Sequence, residues 1–143
     1  MMANEATSTK ATGTYGIQGW DEKTWDGKLA RDIKGAKETR ASVKVVYKGD
    51  IEGEGQREYL MINREDETGN AIGLERIVGK VGGRSGSFVI QSTGTFVGHS
   101  TKGTWFIVPG SGTGELQGLR GEGEMNLEGQ KEDWPVTFEY SFE

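Results

Sequence analysis

The chain contains no cysteine, one histidine and two prolines in 143 residues. Without cysteine there is no disulfide framework, no thiolate nucleophile and no Cys-based zinc or iron–sulfur site. A lone His99 also excludes multi-His metal sites and serine–histidine chemistry that needs a second supporting histidine. No haem, flavin or nucleotide signature is present, so neither a cofactor nor a metal is expected. No run approaches the roughly 18 apolar residues of a membrane-spanning helix, so no membrane partner is expected. The opening Met1-Met2-Ala3-Asn4-Glu5 is polar at once and is not a signal peptide, which makes a cytoplasmic location the expectation. Positive charge is also scarce. Seventeen basic residues against 22 acidic ones give a net charge of −5, and residues 111–143 carry two basic and eight acidic groups. Nucleic acid is therefore not an expected partner.

What the chain has in abundance is glycine, 24 residues in all. Short apolar alternations separated by glycine mark an all-β protein. Val43, Val45 and Tyr47 alternate with Ser42, Lys44 and Val46. Similar runs cover 57–62, 72–78, 87–93 and 104–108. The clearest run is at 134–142, where Trp134, Val136, Phe138, Tyr140 and Phe142 share one parity and so one face of a strand. Met125 and Leu127 likewise face away from Glu124, Asn126 and Glu128. Turn residues recur between the runs, at Lys48-Gly49-Asp50, Glu67-Thr68-Gly69-Asn70, Gly82-Gly83, Gly98-His99 and Pro109-Gly110. That spacing suits a meander or an up-and-down barrel, and the architecture expected is a small closed antiparallel barrel, residues 12–143, behind a flexible N-terminus at 1–11. Trp20, Trp25, Leu29 and Ile33 are expected to form an irregular arm or short helix over the sheet. The stretch Thr104 to Val108 is apolar on both parities, so a lid or a second subunit is expected over its outer face.

Several blocks together are more specific than any one strand. They are Tyr47-Lys48-Gly49-Asp50-Ile51-Glu52-Gly53-Glu54-Gly55 with Glu58-Tyr59-Leu60-Met61, then Gly73-Leu74-Glu75-Arg76-Ile77-Val78-Gly79. Gly83-Arg84-Ser85-Gly86-Ser87-Phe88-Val89 follows, and the most distinctive is Trp105-Phe106-Ile107-Val108-Pro109-Gly110-Ser111-Gly112-Thr113-Gly114-Glu115-Leu116. In this order the blocks resemble the DUF3224 family of small bacterial proteins, whose fold is similar to the allene oxide cyclase barrel. The resemblance implies about eight antiparallel strands around an interior pocket. It implies no established activity. Members commonly read Gln-His-Ser-Gly where this chain reads Gln91-Ser92-Thr93-Gly94, so a role for that histidine does not carry over.

Polar groups on apolar parities are the candidates for chemistry. Glu58 shares its parity with Leu60 and Ile62, and Arg76 shares its parity with Leu74 and Val78. Inside a barrel these two would be a general base and an anchor for a substrate carboxylate or enolate, or else a structural ion pair. Glu115, after the glycine-dense turn, is a third candidate acid. Tyr47, Tyr59, Gln91 and Trp105 are the candidate ligand contacts, since tyrosine and tryptophan carry polar tips that seek partners when buried. Asp50, Glu52 and Glu54 read as a solvated strand face, and His99 as an exposed turn tip. Two functions from different classes fit. One is binding of a small apolar molecule in the barrel, extending to cofactor-independent isomerase or cyclase chemistry. The other is a non-catalytic interaction module that forms a homodimer through an apolar outer face.

Overall fold

The computed structural model describes residues 8–143, and they form a closed barrel of eight antiparallel strands in chain order. The strands are β1 Thr9–Thr24, β2 Lys37–Gly49, β3 Ile51–Asn63, β4 Thr68–Val81, β5 Arg84–Val97, β6 Ser100–Ile107, β7 Leu119–Glu128 and β8 Asp133–Phe142. Two short 3₁₀ turns, Ala30–Asp32 and Gly114–Leu116, complete the secondary structure. Of the expected flexible segment at 1–11, residues 1–7 lie outside the described residues. From Thr9 the chain is already strand, and Thr9 pairs with Tyr140 across the β1–β8 seam that closes the barrel.

The hairpins follow the glycines. Gly82 and Gly83 both have positive φ, 57° and 85°, between the paired Val81 and Arg84. Two left-handed central residues are what a type I′ hairpin needs, and glycine adopts them without a Cβ penalty. With the Gly49-Asp50 turn and the β6–β7 connection, this hairpin forms one end of the barrel. That end is shut by Ile51, Val81, Leu116 and Leu119, each at most 1 % exposed. Leu116 is held there because the connection runs back along β5. Val89 N–H donates to the Ser111 hydroxyl at 3.0 Å, and Thr113 N–H donates to the Ser87 carbonyl at 2.9 Å. The glycine-dense turn at 110–114 is thus a packing device for a plug.

The opposite end is open. It is ringed by the β3–β4, β5–β6 and β7–β8 turns and by the segment joining β1 to β2. Trp20 does not lie on a separate arm, as the sequence suggested, but within β1. The register slips between Ile17 and Gly19, a bulge at Gln18. A bulge shifts parity by one, so Tyr15, Ile17 and then Trp20 all turn toward the barrel axis. The seam between β7 and β8 is short. Pairing runs from Leu119↔Phe142 to Gly123↔Phe138, and beyond it β7 pairs only with β6 and β8 only with β1.

Val43, Val45, Ile77, Phe88, Ile90, Ile107 and Phe138 fill the closed half. The alternations read for β2, β7 and β8 face inward as expected. Those of β3 and β4 do not. Leu60, Ile62, Ile72, Leu74 and Val78 are all exposed on the outside, at 43–56 %. Phe106, also outside, is 41 % exposed, so the expected cover over the β6 face is not supplied by the described residues.

Candidate functional site

Because the apolar parity of β3 and β4 points outward, the interior receives the other set: Arg57, Tyr59, Met61, Gly73, Glu75 and Ile77. Arg57 and Glu75 are directly opposite on the paired strands. Arg57 Nε donates to Glu75 Oε1 at 3.0 Å, and the two side chains are 11 % and 9 % exposed. Tyr47, from β2, donates its hydroxyl to Glu75 Oε2 at 2.5 Å and accepts from Arg57 Nη2 at 3.1 Å. Arg57 Nη1 reaches the Tyr59 hydroxyl at 3.4 Å. The guanidinium carbon lies 4.5 Å from the centre of the Tyr15 ring, a cation–π contact. Four strands thus contribute to one closed cluster in mid-barrel.

Its size requires glycine on the neighbouring positions. A Cβ on Gly55 would lie 2.2 Å from Glu75 Oε2, and one on Gly73 would lie 2.5 Å from the Tyr59 ring. Each inward glycine leaves the volume that the charged or aromatic neighbour occupies.

The electrostatics follow from burial. Loss of water opposes the charge on Arg57, but Tyr47 and Glu75 outweigh it and hold the guanidinium protonated. Burial, reinforced by the Glu75 carboxylate and opposed by Arg57, pushes the Tyr47 phenol well above its ordinary range. The same balance raises Tyr59. Both phenols are therefore neutral O–H groups at neutral pH. Tyr47 spends its hydrogen on Glu75. Tyr59 and Tyr15 donate to no acceptor among the described residues.

Above the cluster, toward the open end, lies a cavity of about 470 Å³. Arg57, Tyr59 and Tyr15 lie at its floor, Met61, Phe96, Met125 and Leu127 on its walls, and Trp20 and Trp134 at its rim. The rings of Trp20 and Tyr59 stack at 6.4 Å. Below the floor the interior narrows to about 40 Å³ beside Glu75 and Trp105. The size and apolar walls of the upper cavity fall within the usual range for small-molecule sites. Among the described residues no group of three or more His, Asp or Glu side chains is placed to hold a metal ion.

The sequence-derived candidates divide cleanly. Tyr47, Tyr59 and Trp105 are inside. Glu58, Arg76, Gln91 and Glu115 are exposed and do not reach the cavity. Glu58 accepts from Ser42 and Gln56 on the outer surface, at 2.7 Å each, and forms no ion pair with Arg76. Glu115 accepts from the Ser85 backbone N–H at 3.0 Å and so braces the plug. The central pair, Arg57 and Glu75, was not singled out. Its signal was available, because Arg57, Tyr59 and Glu75 share their parity with Gly53, Gly55, Gly73 and Gly79. His99, read as a turn tip, is exposed and stands at the cavity rim.

Comparison with known proteins gives a consistent placement. A family described as "Protein of unknown function (DUF3224)" matches residues 11–140. Among solved structures, a protein of unknown function from the same family, from Shewanella oneidensis MR-1, matches with a TM-score of 0.76 and 28 % sequence identity. The match covers 96 % of this chain and 99 % of that one. No curated protein matches.

Proposed function

The chain belongs to the DUF3224 family, and we propose that it binds a small, mostly apolar molecule in the open end of its barrel. The observation that carries this reading is the cavity of about 470 Å³, apolar on its walls and floored by a buried, fully assembled polar cluster. A barrel that only needed to fold would be expected to fill that volume with side chains, as the closed end does. Buried charge is costly, so a central Arg57–Glu75 pair is easier to understand as a recognition surface than as a source of stability.

Binding fits this floor better than catalysis. Both oxygens of Glu75 already accept hydrogen bonds, from Arg57 and from Tyr47, which leaves that carboxylate poorly placed to take a substrate proton. Cofactor-independent isomerase or cyclase chemistry would instead fall to Tyr59 as the proton donor, with Arg57 donating hydrogen bonds to developing negative charge. The reading is tested with N-phenyl-1-naphthylamine, a neutral apolar dye that brightens when desolvated. Saturable brightening is expected, and Ala71→Phe, which places a ring on the cavity wall, is expected to abolish it with the circular dichroism unchanged. Equal dye binding by Ala71→Phe would overturn the reading.

A second reading has its own observation. Leu60, Ile72 and Leu74 form an exposed apolar area on the outer face of β3 and β4, where Leu60 pairs with Ile72, and Phe106 of β6 faces it across Gln91 and Thr93 of β5. A groove there is lined by these residues together with Glu58, Gln91, Thr93 and Thr104. We propose a homodimer in which a second copy covers this face. Sedimentation equilibrium is expected to give twice the chain mass, and Ile72→Lys is expected to return it to one. A monomer at 100 µM would overturn this second reading.

A further inference from the structure

We infer that the molecule bound at the cavity floor presents an uncharged hydrogen-bond acceptor, such as a ketone or ester oxygen, and that carboxylates are disfavoured. The inference rests on the barrel-mouth binding site proposed above and names its ligand class. It follows from charge and donor accounting. Arg57 is the single charged residue lining the cavity among the described residues, and on its own it would recruit an anion. Its charge, however, is already met by Glu75 at 3.0 Å on the far side of the floor. What the cavity faces is a dipole with its positive end uppermost. A dipole of that kind stabilises the partial charge on a carbonyl oxygen. It offsets only part of the desolvation that a full carboxylate must lose.

The donor inventory points the same way. A guanidinium has five N–H groups. Three are engaged, by Glu75, Tyr47 and Tyr59. The Tyr59 hydroxyl accepts from Arg57 yet donates to nothing among the described residues, and the Tyr15 hydroxyl has no partner there at all. Tyr59 keeps its proton because burial raises its pKa. The floor therefore offers donors already polarised by Arg57 and no free carboxylate to accept. A ligand that brought only a donor, such as an ammonium or an amide N–H, would find only the hydroxyl lone pairs of Tyr15 and Tyr59 to accept it, beside the positive end of the Arg57–Glu75 pair. The walls, with Met61, Phe96, Met125 and Leu127, ask for an apolar body behind the acceptor, and two methionines adapt to flat or irregular shapes.

The experiment uses three naphthalenes of matched size: 2-acetylnaphthalene, 2-ethylnaphthalene and 2-naphthoate. Each is titrated at pH 7 by displacement of the dye. The ketone is expected to bind at least tenfold tighter than the hydrocarbon, and tighter again than the carboxylate. Tyr59→Phe is expected to remove most of the ketone's advantage while leaving the hydrocarbon unchanged. Glu75→Gln keeps the shape but uncovers the Arg57 charge, and is expected to reverse the preference so that 2-naphthoate binds best. Should Glu75→Gln fail to fold, the wild-type order and Tyr59→Phe still decide. Equal affinity for all three, or 2-naphthoate binding as tightly as the ketone to the wild-type protein, overturns the inference and leaves the cavity reading standing. Failure of all three to displace bound dye also overturns the inference alone, whereas failure of the dye itself to bind overturns both.

Discussion

Strands β3 and β4 have two faces whose chemistry is the reverse of the usual arrangement. Their outer face carries Leu60, Ile62, Ile72 and Leu74, all exposed, while their inner face carries Arg57, Tyr59, Glu75 and a series of glycines. Strand β2 and the closed-end half of β8, in the same barrel, are conventional, with Val43, Val45 and Phe138 buried inside. The difference teaches that hydrophobic alternation identifies a strand and its period but not which face points in. The interior of a narrow barrel limits volume before it limits polarity. A glycine opposite an arginine or a tyrosine satisfies that limit as well as two valines do.

The sharpest way to break the contrast is to remove one member of the interior pair. Glu75→Ala strands the Arg57 charge in a site that is 11 % exposed, and a loss of roughly 3–5 kcal/mol in urea unfolding is expected. The double variant Arg57→Met with Glu75→Leu removes both charges together and is expected to recover most of that loss. If Glu75→Ala costs no more than a surface change, the cluster is hydrated and the floor is not the closed assembly described here.

A second measurement probes the volume argument. Gly55→Ala would set a methyl 2.2 Å from Glu75 Oε2 and 2.8 Å from Val45 Cγ2. Neither neighbour has room to give, so overpacking of roughly 1–3 kcal/mol is expected. Ala at Gly19, where nothing lies within 4 Å of the added Cβ, is the control and is expected to be near neutral.

The cluster also sets an alkaline limit. The folded-state pKa values of Tyr47 and Tyr59 lie above the ordinary value near 10, through burial in the first place. Below that value both states keep the phenol protonated and the stability from these groups is complete. As pH rises past it, the unfolded chain ionises first and that stability is lost. Unfolding in mild urea is therefore expected to set in above about pH 10. Absorbance at 295 nm should show two tyrosines ionising only with the unfolding step. Smooth ionisation of all four tyrosines before unfolding would show that the interior is open to solvent.

Much of this architecture is legible in the chain. The period of two, the hairpin glycines and the aromatic run of β8 lead to an all-β meander or barrel, and the family resemblance supplies the closure and the count of about eight strands. The site is less legible for two local reasons. In β3 and β4 the apolar residues that define the alternation are the exterior set, so the reading that selected Glu58 and Arg76 followed the face with more hydrophobic area. In β1 a bulge at Gln18 shifts Trp20 onto the inward parity, and one inserted residue leaves no compositional mark. Tyr47 and Trp105 lie inside as their apolar parity suggested, Tyr47 in the polar cluster and Trp105 beside the narrow space below it. The better guide in β3 and β4 was glycine, since Gly53, Gly55, Gly73 and Gly79 all fall on the inward parity.

The smallest expected effect lies on the outside and bears on why that face is apolar. Leu74 is 53 % exposed, with Glu58 and Gln91 opposite it on the flanking strands. In an isolated barrel Leu74→Ser removes little buried area, and a change within about 0.5 kcal/mol is expected. In a dimer covering that face the same side chain becomes buried, and the variant would lose far more, with a dependence on protein concentration that a monomer cannot show. The comparison is therefore made at two concentrations a hundredfold apart. If the cost of Leu74→Ser is the same at both, the outer face stands in water and the reversal of β3 and β4 serves the interior alone. If the cost grows with concentration, the same reversal supplies both the polar floor of the cavity and the apolar face of an interface.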